Sequence, residues 1–284
     1  VNIKLFRQGP KDIRLNDTKI SQKELIGTLN TVIFCPEDLQ LIKGTPSGRR
    51  RFLDMEISQT SATYYHQLMQ YNRLLQQRNA ILKEYRGKQN IPLEEWDLQL
   101  ADMASFIVKK RLESLKKINL LIDLMNRKLT GGLENLTIGY EQPYMDNGSL
   151  EYTKEGFYER IKVALPQDRH RLTTSVGPHR DDLRFFSDAM DLKKFGSQGQ
   201  QRTAVLSLKL SELEFIKSEV GEYPVLLLDD VLSELDESRR ANLLQFIHKR
   251  IQTFITTTDI HDFKDLKSVQ FISCEGGKVQ YGQP

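Results

Sequence analysis

Pro224 to Asp236, P-V-L-L-L-D-D-V-L-S-E-L-D, constrains the fold more than any other stretch of the chain. Four consecutive apolar residues, Val225 to Leu228, follow a proline and end abruptly in two acids. This is the pattern of a strand buried on both faces of a largely parallel sheet. Sheets of that kind bind ligands at the carboxyl ends of their strands. Asp229, delivered to such an edge, suits a hard cation, because Mg2+ takes oxygen ligands and usually arrives with nucleotide phosphates. Asp230 points elsewhere and could orient or deprotonate a water. The plainer reading is that acids simply end a buried strand at the water line.

Upstream lies F-G-S-Q-G-Q-Q-R, Phe195 to Arg202. Ser197, Gly199 and Gln200 stand just before Arg202 to Val220, where Val205, Leu206, Leu208, Leu213, Ile216 and Val220 mostly suit helical spacing. A small, glycine-containing helix start presents backbone amides and a hydroxyl in front of a helix dipole, which is an anion site. A phosphate-binding helix, then a metal-binding strand, then S-E-L-D at Ser233 to Asp236 is the order found in ABC-type ATPases.

These segments resemble the signature motif, Walker B strand and D-loop of the SMC branch of that superfamily. More narrowly the chain resembles the RecF family of bacterial recombination mediators. F-C-P-E-D-L-Q-L-I-K-G-T-P-S-G-R-R-R-F-L-D (Phe34 to Asp54) and T-S-V-G-P-H-R-D-D-L (Thr174 to Leu183) also match that family, and the match spans nearly the whole chain. The resemblance implies an α/β, ABC-type ATPase head. Residues 1–45 and 221–284 would form an incomplete lobe I, and 46–220 a mainly helical lobe II with a short antiparallel helical arm and the signature motif.

For single residues the resemblance implies the following. Asp229 is the Walker B acid near Mg2+. Asp230 holds the place of a general base that is usually glutamate, one methylene longer, so hydrolysis should be weak. Asp236 belongs to the D-loop. Thr258 falls where many relatives of the superfamily place a switch histidine. Ser197, Gln198, Gly199 and Gln200 face the gamma-phosphate of ATP held by a second copy, with Gln198 in place of a usual glycine. The family likeness further implies an ATP-dependent homodimer on double-stranded and gapped DNA. It would act with RecO and RecR to help load RecA onto strands covered by single-strand binding protein.

The phosphate loop G-x-x-x-x-G-K-[ST] occurs nowhere in the chain. Gly44 to Arg50 is the nearest stretch, but it has three residues between its glycines and Arg49 in place of lysine. The family's loop is expected in an amino-terminal segment outside this sequence, and these residues alone should not turn over ATP.

Composition sets the remaining bounds. A net charge of +3 neither demands nor opposes nucleic acid. Candidate phosphate contacts are Arg49, Arg50 and Arg51, and Lys109, Lys110 and Arg111. Lys116 and Lys117, Arg169 and Arg171, and Lys193 and Lys194 form smaller groups, all of which could equally be solvated faces. Cys35 and Cys274 are read as small buried hydrophobes in a reducing compartment. No apolar run is long enough to span a bilayer and there is no export signal, so the chain is read as cytoplasmic. Two competitors are the nucleotide-binding subunit of a membrane transporter and, for these residues alone, a non-enzymatic binding module.

Coarsely, alternation over Val1 to Asn16 predicts antiparallel strands, with a turn at Asn16-Asp17. A short helix is expected from Ser21 to Thr28, a strand at Thr31 to Cys35, and a helical turn after Pro36 that stops at Gly44 and Pro46. Two long helices carry Leu68 to Tyr85 and Ala101 to Leu129, forming either a projecting arm or a subdomain packed on itself. Gly131-Gly132 stops the second, and strand character resumes from Leu133 to Tyr140. A turn at Tyr144 to Ser149, a helix from Glu151 to Leu165 and a hairpin of Asp182 to Phe186 with Leu192 to Phe195 follow. A helix over Glu237 to Arg250, a buried strand at Thr253 to Thr257 and a terminal hairpin turning at Gly276-Gly277 complete the chain. His179 and Arg180 are either structural or close to nucleotide.

Overall fold

The computed structural model describes residues 1–21, 23–88, 90–132, 134–144, 152–258, 263 and 269–281. In chain order the elements are β1 (Asn2–Lys4), β2 (Asp12–Leu15), β3 (Thr18–Lys19), β4 (Thr31–Phe34), α1 (Gln40–Lys43), α2 (Pro46–Thr60), α3 (Ala62–Glu84) and α4 (Glu94–Thr130). Then come β5 (Leu136–Glu141), α5 (Lys154–Arg171), β6 (Asp182–Ser187), β7 (Met190–Asp191), α6 (Leu192–Phe195), α7 (Gln198–Val220), β8 (Val225–Asp229), α8 (Glu237–Ile247), β9 (Thr253–Thr256), β10 (Ile272–Glu275) and β11 (Lys278–Tyr281).

The Val225 to Asp229 segment is the middle strand of a parallel sheet ordered β4-β8-β9. Its register sets Leu227 between Ile33 and Phe254 and sets Asp229 beside Thr256. Leu226 and Leu228 are buried, together with Val32 and Phe34, on the side that meets the helices. The expectation of burial on both faces needs correction. Leu227 is only half-buried, and Ile33 and Phe254 beside it are 51% and 52% exposed, so the described residues cover one face only. β9 is correspondingly half-buried or exposed along its length, not buried.

A second, antiparallel sheet, β5-β6-β7, lies within the helical part of the chain. The helices pack around α4, whose buried side runs from Asp97 to Asn126. α3 lies antiparallel to it, since Arg78 meets Asp97 near the connecting link and Tyr64 meets Arg111 farther away. α5, α7 and β5 cover the rest of its buried side. The long helical pair is therefore packed on the body of the protein along much of its length.

Local signals account for the helix ends. Gly131, at φ +68°, ends α4 in the left-handed conformation that glycine adopts without strain. Ser197 starts α7 with a reciprocal capping box: the Gln200 amide donates to Ser197 Oγ (3.2 Å), and the Ser197 amide donates to Gln200 Oε1 (3.0 Å). α7 thus begins at Gln198, four residues before the periodic run.

Other expectations are corrected. Ser21 and Glu24 exchange hydrogen bonds as a helix start would, but Gly27 at φ +80° folds the chain back, and 23–29 is turn and bend, not helix. α5 continues past Pro166 to Arg171, because buried Asp168 in its last turn is held by Arg78 (2.7 Å) and Ser175 (2.5 Å). Leu192 to Phe195 forms a helical turn capped by Asp191, so β6 pairs with Met190–Asp191 instead. Cys274 is exposed and Cys35 half-buried. The expected turn at Tyr144 to Ser149 lies, after Tyr144, outside the described residues. The terminal β10–β11 hairpin, the β1–β2 pairing and the Asn16-Asp17 turn, with both φ angles positive, form as the sequence predicts.

Candidate functional site

At the carboxyl end of β8 the strand stops being covered, and Asp229 and Asp230 are both exposed. Parallel pairing brings Thr256 alongside, and its hydroxyl donates to Asp229 Oδ1 (2.6 Å) while accepting from the Asp230 amide (3.1 Å). One carboxylate oxygen of Asp229 is thereby fixed, and no hydrogen bond is formed by Oδ2 among the described residues. A fixed, exposed carboxylate with a spare oxygen at a strand end fits a hard divalent cation.

Asp230 adopts φ +52°, the left-handed region in which aspartate is tolerated better than most residues. Its carbonyl accepts from Ser233 Oγ (2.7 Å), and Val231 and Leu232 anchor the turn in the core. Asp236 caps α8, accepting from the Arg239 amide (2.9 Å), and also pairs with the Arg239 guanidinium. Thr258 is exposed just beyond β9.

The second candidate is the tip of α7. Ser197, Gln198 and Gly199 are exposed. The capping box uses the Gln200 amide, whereas the amides of Gln198 and Gly199 precede the first helical acceptor and point outward. A Cβ built at Gly199 would come no nearer than 4.0 Å to any atom, so the tip is open to an approaching group. Gln198 takes an ordinary helical conformation, so replacing the usual glycine there strains nothing. Gln200 is braced from behind by Glu134, which accepts from Gln200 Nε2 (3.1 Å) and from Ser187 Oγ (3.0 Å).

Arg202 and Val205 of α7 share a small recess with Val231 and Leu235, so the two segments lean on one another within the chain. Among the described residues no hydrogen bond or ion pair joins Ser197 to Asp229 or Asp230.

The basic clusters divide. Arg49 is buried and gripped by Asp182 through both carboxylate oxygens (2.7 and 2.8 Å). Arg111 is 2% exposed and donates to Asp54 (2.8 and 3.0 Å) and the Pro178 carbonyl (2.7 Å), with Asp181 beyond at 3.4 Å. Neither can reach a phosphate on the surface, which corrects their candidacy. Arg50 is half-buried, with one nitrogen on the Asp181 carbonyl (2.7 Å). Arg51 and Lys109 are exposed, and half-buried Lys110 lies 3.8 Å from Glu113.

His179 belongs to the fold. Nε2 donates to the Thr174 carbonyl (3.0 Å) and Nδ1 lies 2.6 Å from the Tyr71 hydroxyl; burial pushes the pKa down to about 4, so the ring is neutral at pH 7 and Nδ1 accepts from Tyr71. Arg180 likewise bonds to the Thr174 carbonyl (2.6 Å).

Sequence reasoning missed Thr256, Glu134 and Lys209. Thr256 was signalled only by its place opposite Asp229, which needs the register. Lys209, on α7, is buried between Asp38 (3.3 Å) and Glu212 (3.3 Å). Burial raises the Glu56 carboxyl beside it to about 7.

No family model matches the chain. It is 47% identical over 270 residues to the DNA replication and repair protein RecF of Alkaliphilus oremlandii (strain OhILAs), covering 94% of this chain and 73% of that protein. To the protein of the same name from Clostridium botulinum (strain Eklund 17B / Type B) it is 46% identical over 280 residues, covering 97% and 76%. A solved structure of the recombination mediator protein RecF with ATPrS, in the RecFOR pathway, superposes with a TM-score of 0.87 at 36% identity, covering 98% of this chain and 75% of that one. The corresponding structure with ATP gives a TM-score of 0.85 at 37% identity, covering 96% and 74%.

Proposed function

The chain belongs to the RecF family of DNA replication and repair proteins, and from that premise we propose that it is part of an ATPase head that closes on ATP as a pair. In this reading the carboxylate rim of one copy and the Ser197 helix tip of another grip one triphosphate. Asp229 would hold Mg2+ through its spare oxygen, and ATP would supply the negative charge that draws two heads together. Ser197, with the amides of Gln198 and Gly199, offers donors to the outermost phosphate, and Asp230 is placed to orient a water. Asp236 and Thr258 stand by as second-copy and sensing contacts.

One observation carries the reading: both sets of groups are formed, exposed and open, yet each supplies only half of what a triphosphate needs. Carboxylates hold a cation but repel phosphate, whereas the helix tip binds anions but holds no cation. A nucleotide seen by two copies makes dimer closure depend on nucleotide state. Because Asp230 is shorter than glutamate, turnover is slow, and ATP acts chiefly as glue.

The same reading assigns the dimer to DNA, at gaps where duplex meets single strand, in the RecO and RecR route that loads RecA. What supports this is the family membership together with the exposed base Lys109. The transporter alternative is set aside by the RecF relatives. Residues 1–284 alone should show no ATP turnover, because no phosphate loop lies within them.

The decisive experiment is sedimentation of the longer protein that contains these residues, with and without ATP, for the wild type and Ser197→Arg. ATP binding is expected to survive in the variant while the ATP-dependent dimer disappears. Dimers that persist would sink the two-copy site.

A further inference from the structure

A cavity of about 480 Å³ opens between α2, α3 and the loop at Pro178, away from both candidate nucleotide segments. Its back wall is rigid. Tyr71 is locked to His179 by the 2.6 Å hydrogen bond, and a Cβ on Gly177, at φ +128°, would stand 2.4 Å from the Tyr71 hydroxyl, so only glycine lets the loop pass. The exposed lining is mostly apolar, with Ile26, Leu68 and Met55 in it, the last 52% exposed, and with Ser58, Gln59 and Asn72 among its polar members.

The charge on the lining is unbalanced. Arg111 at the back is neutralised by Asp54 and Asp181. Arg50, bonded to a neutral carbonyl, and Arg51 have no ion pair among the described residues. The cavity thus joins a mostly apolar interior of ordinary ligand-pocket size to two guanidinium groups that form no ion pair among the described residues, although Asp54, Asp181 and Asp182 lie near Arg50.

We propose that this cavity is a docking site for an acidic peptide segment of a partner protein. A side chain such as phenylalanine or leucine would seat against the apolar wall, leaving room for its neighbours, while flanking carboxylates pair with Arg50 and Arg51. The planar guanidinium fork matches a carboxylate, and an apolar anchor beside charged contacts is how peptide segments gain both affinity and selectivity. Charge complementarity selects the acid, and the hydrocarbon walls select its neighbour. An unstacked nucleotide fits less well, because the exposed lining is mostly apolar: Ser47, Ser58, Gln59 and Asn72 supply a few polar side chains, but Ile26, Met55 and Leu68 offer the ring nitrogens of a base no hydrogen bonds.

The test uses the longer protein and three immobilised probes: a heptapeptide pool with central Phe or Leu flanked by Asp and Glu, the same pool flanked by Ser, and 5′-phosphorylated (dT)6. The acidic pool is expected to bind more tightly than the serine pool by at least about tenfold, with a dependence on salt. Arg51→Glu and Met55→Glu, both at exposed positions, should each remove that advantage while thermal unfolding and the ATP-dependent dimer stay unchanged. That last control separates this site from the two-copy nucleotide site. Equal binding of the two peptide pools, acidic binding that survives in both variants, or (dT)6 binding that the two variants abolish would each overturn the proposal.

Discussion

The rim of the parallel sheet and the ionic cluster buried beneath α3 and α4 use the same side chains in opposite ways. At the rim, Asp229, Asp230 and Asp236 are exposed, and the contacts that hold them are few: Thr256 for Asp229, Ser233 on the Asp230 carbonyl, Arg239 for Asp236. In the cluster, Arg78 joins Asp97 (2.6 Å), Asp168 (2.7 Å) and Thr174 (2.9 Å), and Arg111 joins Asp54, Tyr64 and the Pro178 carbonyl. Spare oxygens mark groups available to a ligand, whereas groups whose partners are all internal mark the framework. The T-S-V-G-P-H-R-D-D-L segment, which supplies Thr174, the Pro178 carbonyl and Asp181, belongs to the framework.

The sharpest way to break this contrast is to cut one group from each side. Arg111→Met leaves buried Asp181 and half-buried Asp54 without their cation and should cost about 3–5 kcal/mol of stability in urea unfolding. Asp229→Asn should change stability by no more than about 0.5 kcal/mol, while weakening Mg-dependent nucleotide binding by the longer protein. Similar stability losses in both variants would erase the distinction.

Acid titration probes the framework next. With a folded-state pKa near 4 against an ordinary value near 6.5, His179 is neutral in the fold and binds protons more readily once unfolded. Its contribution is therefore complete above pH 6.5 and is lost as pH falls towards 4, amounting to about 3 kcal/mol at most. The difference between wild type and His179→Gln, followed by urea unfolding from pH 7.5 to 4.5, should narrow in that direction. A flat difference would mean that the ring is not buried as a neutral group.

Glu56 gives the opposite slope. Its folded-state pKa of about 7 lies above its ordinary value of 4.5, so stability falls as pH rises between these values. Glu56→Gln should stabilise the protein at pH 8 by on the order of 1–3 kcal/mol and have little effect near pH 4. Thermal unfolding at the two pH values checks it.

The smallest effect is expected on the open surface. Lys109→Glu should shift stability by less than about 0.5 kcal/mol, yet lower the salt dependence of DNA binding in the longer protein by roughly one unit of slope. An unchanged slope removes Lys109 from the DNA surface.

The sequence made the rim legible because its signals are local. Pro224, an apolar run and two acids announce β8, and the Ser197–Gln200 pair announces the start of α7 within four residues. The framework was not legible, because its partners are distant in sequence: Arg49 finds Asp182 and Arg111 finds Asp54 only after the helices have packed. From sequence alone R-R-R and K-K-R look like solvated or phosphate-seeking clusters. The same blindness hid α5 beyond Pro166, where the Asp168–Arg78 pair overrides the proline. Burial on both faces of β8 was inferred from its apolar run, and the described residues cover only the face that carries Leu226 and Leu228.

The φ of +52° at Asp230 has a consequence for timing. A glutamate would reach farther towards a water, but its longer side chain lacks the short-range backbone bonding that lets aspartate rest in the left-handed region. At this turn the residue that suits the backbone is thus the one with the shorter reach. In the two-copy reading proposed above, how long a closed pair would persist before it reopens is tied to a single dihedral angle as much as to the reach of the carboxyl group it carries.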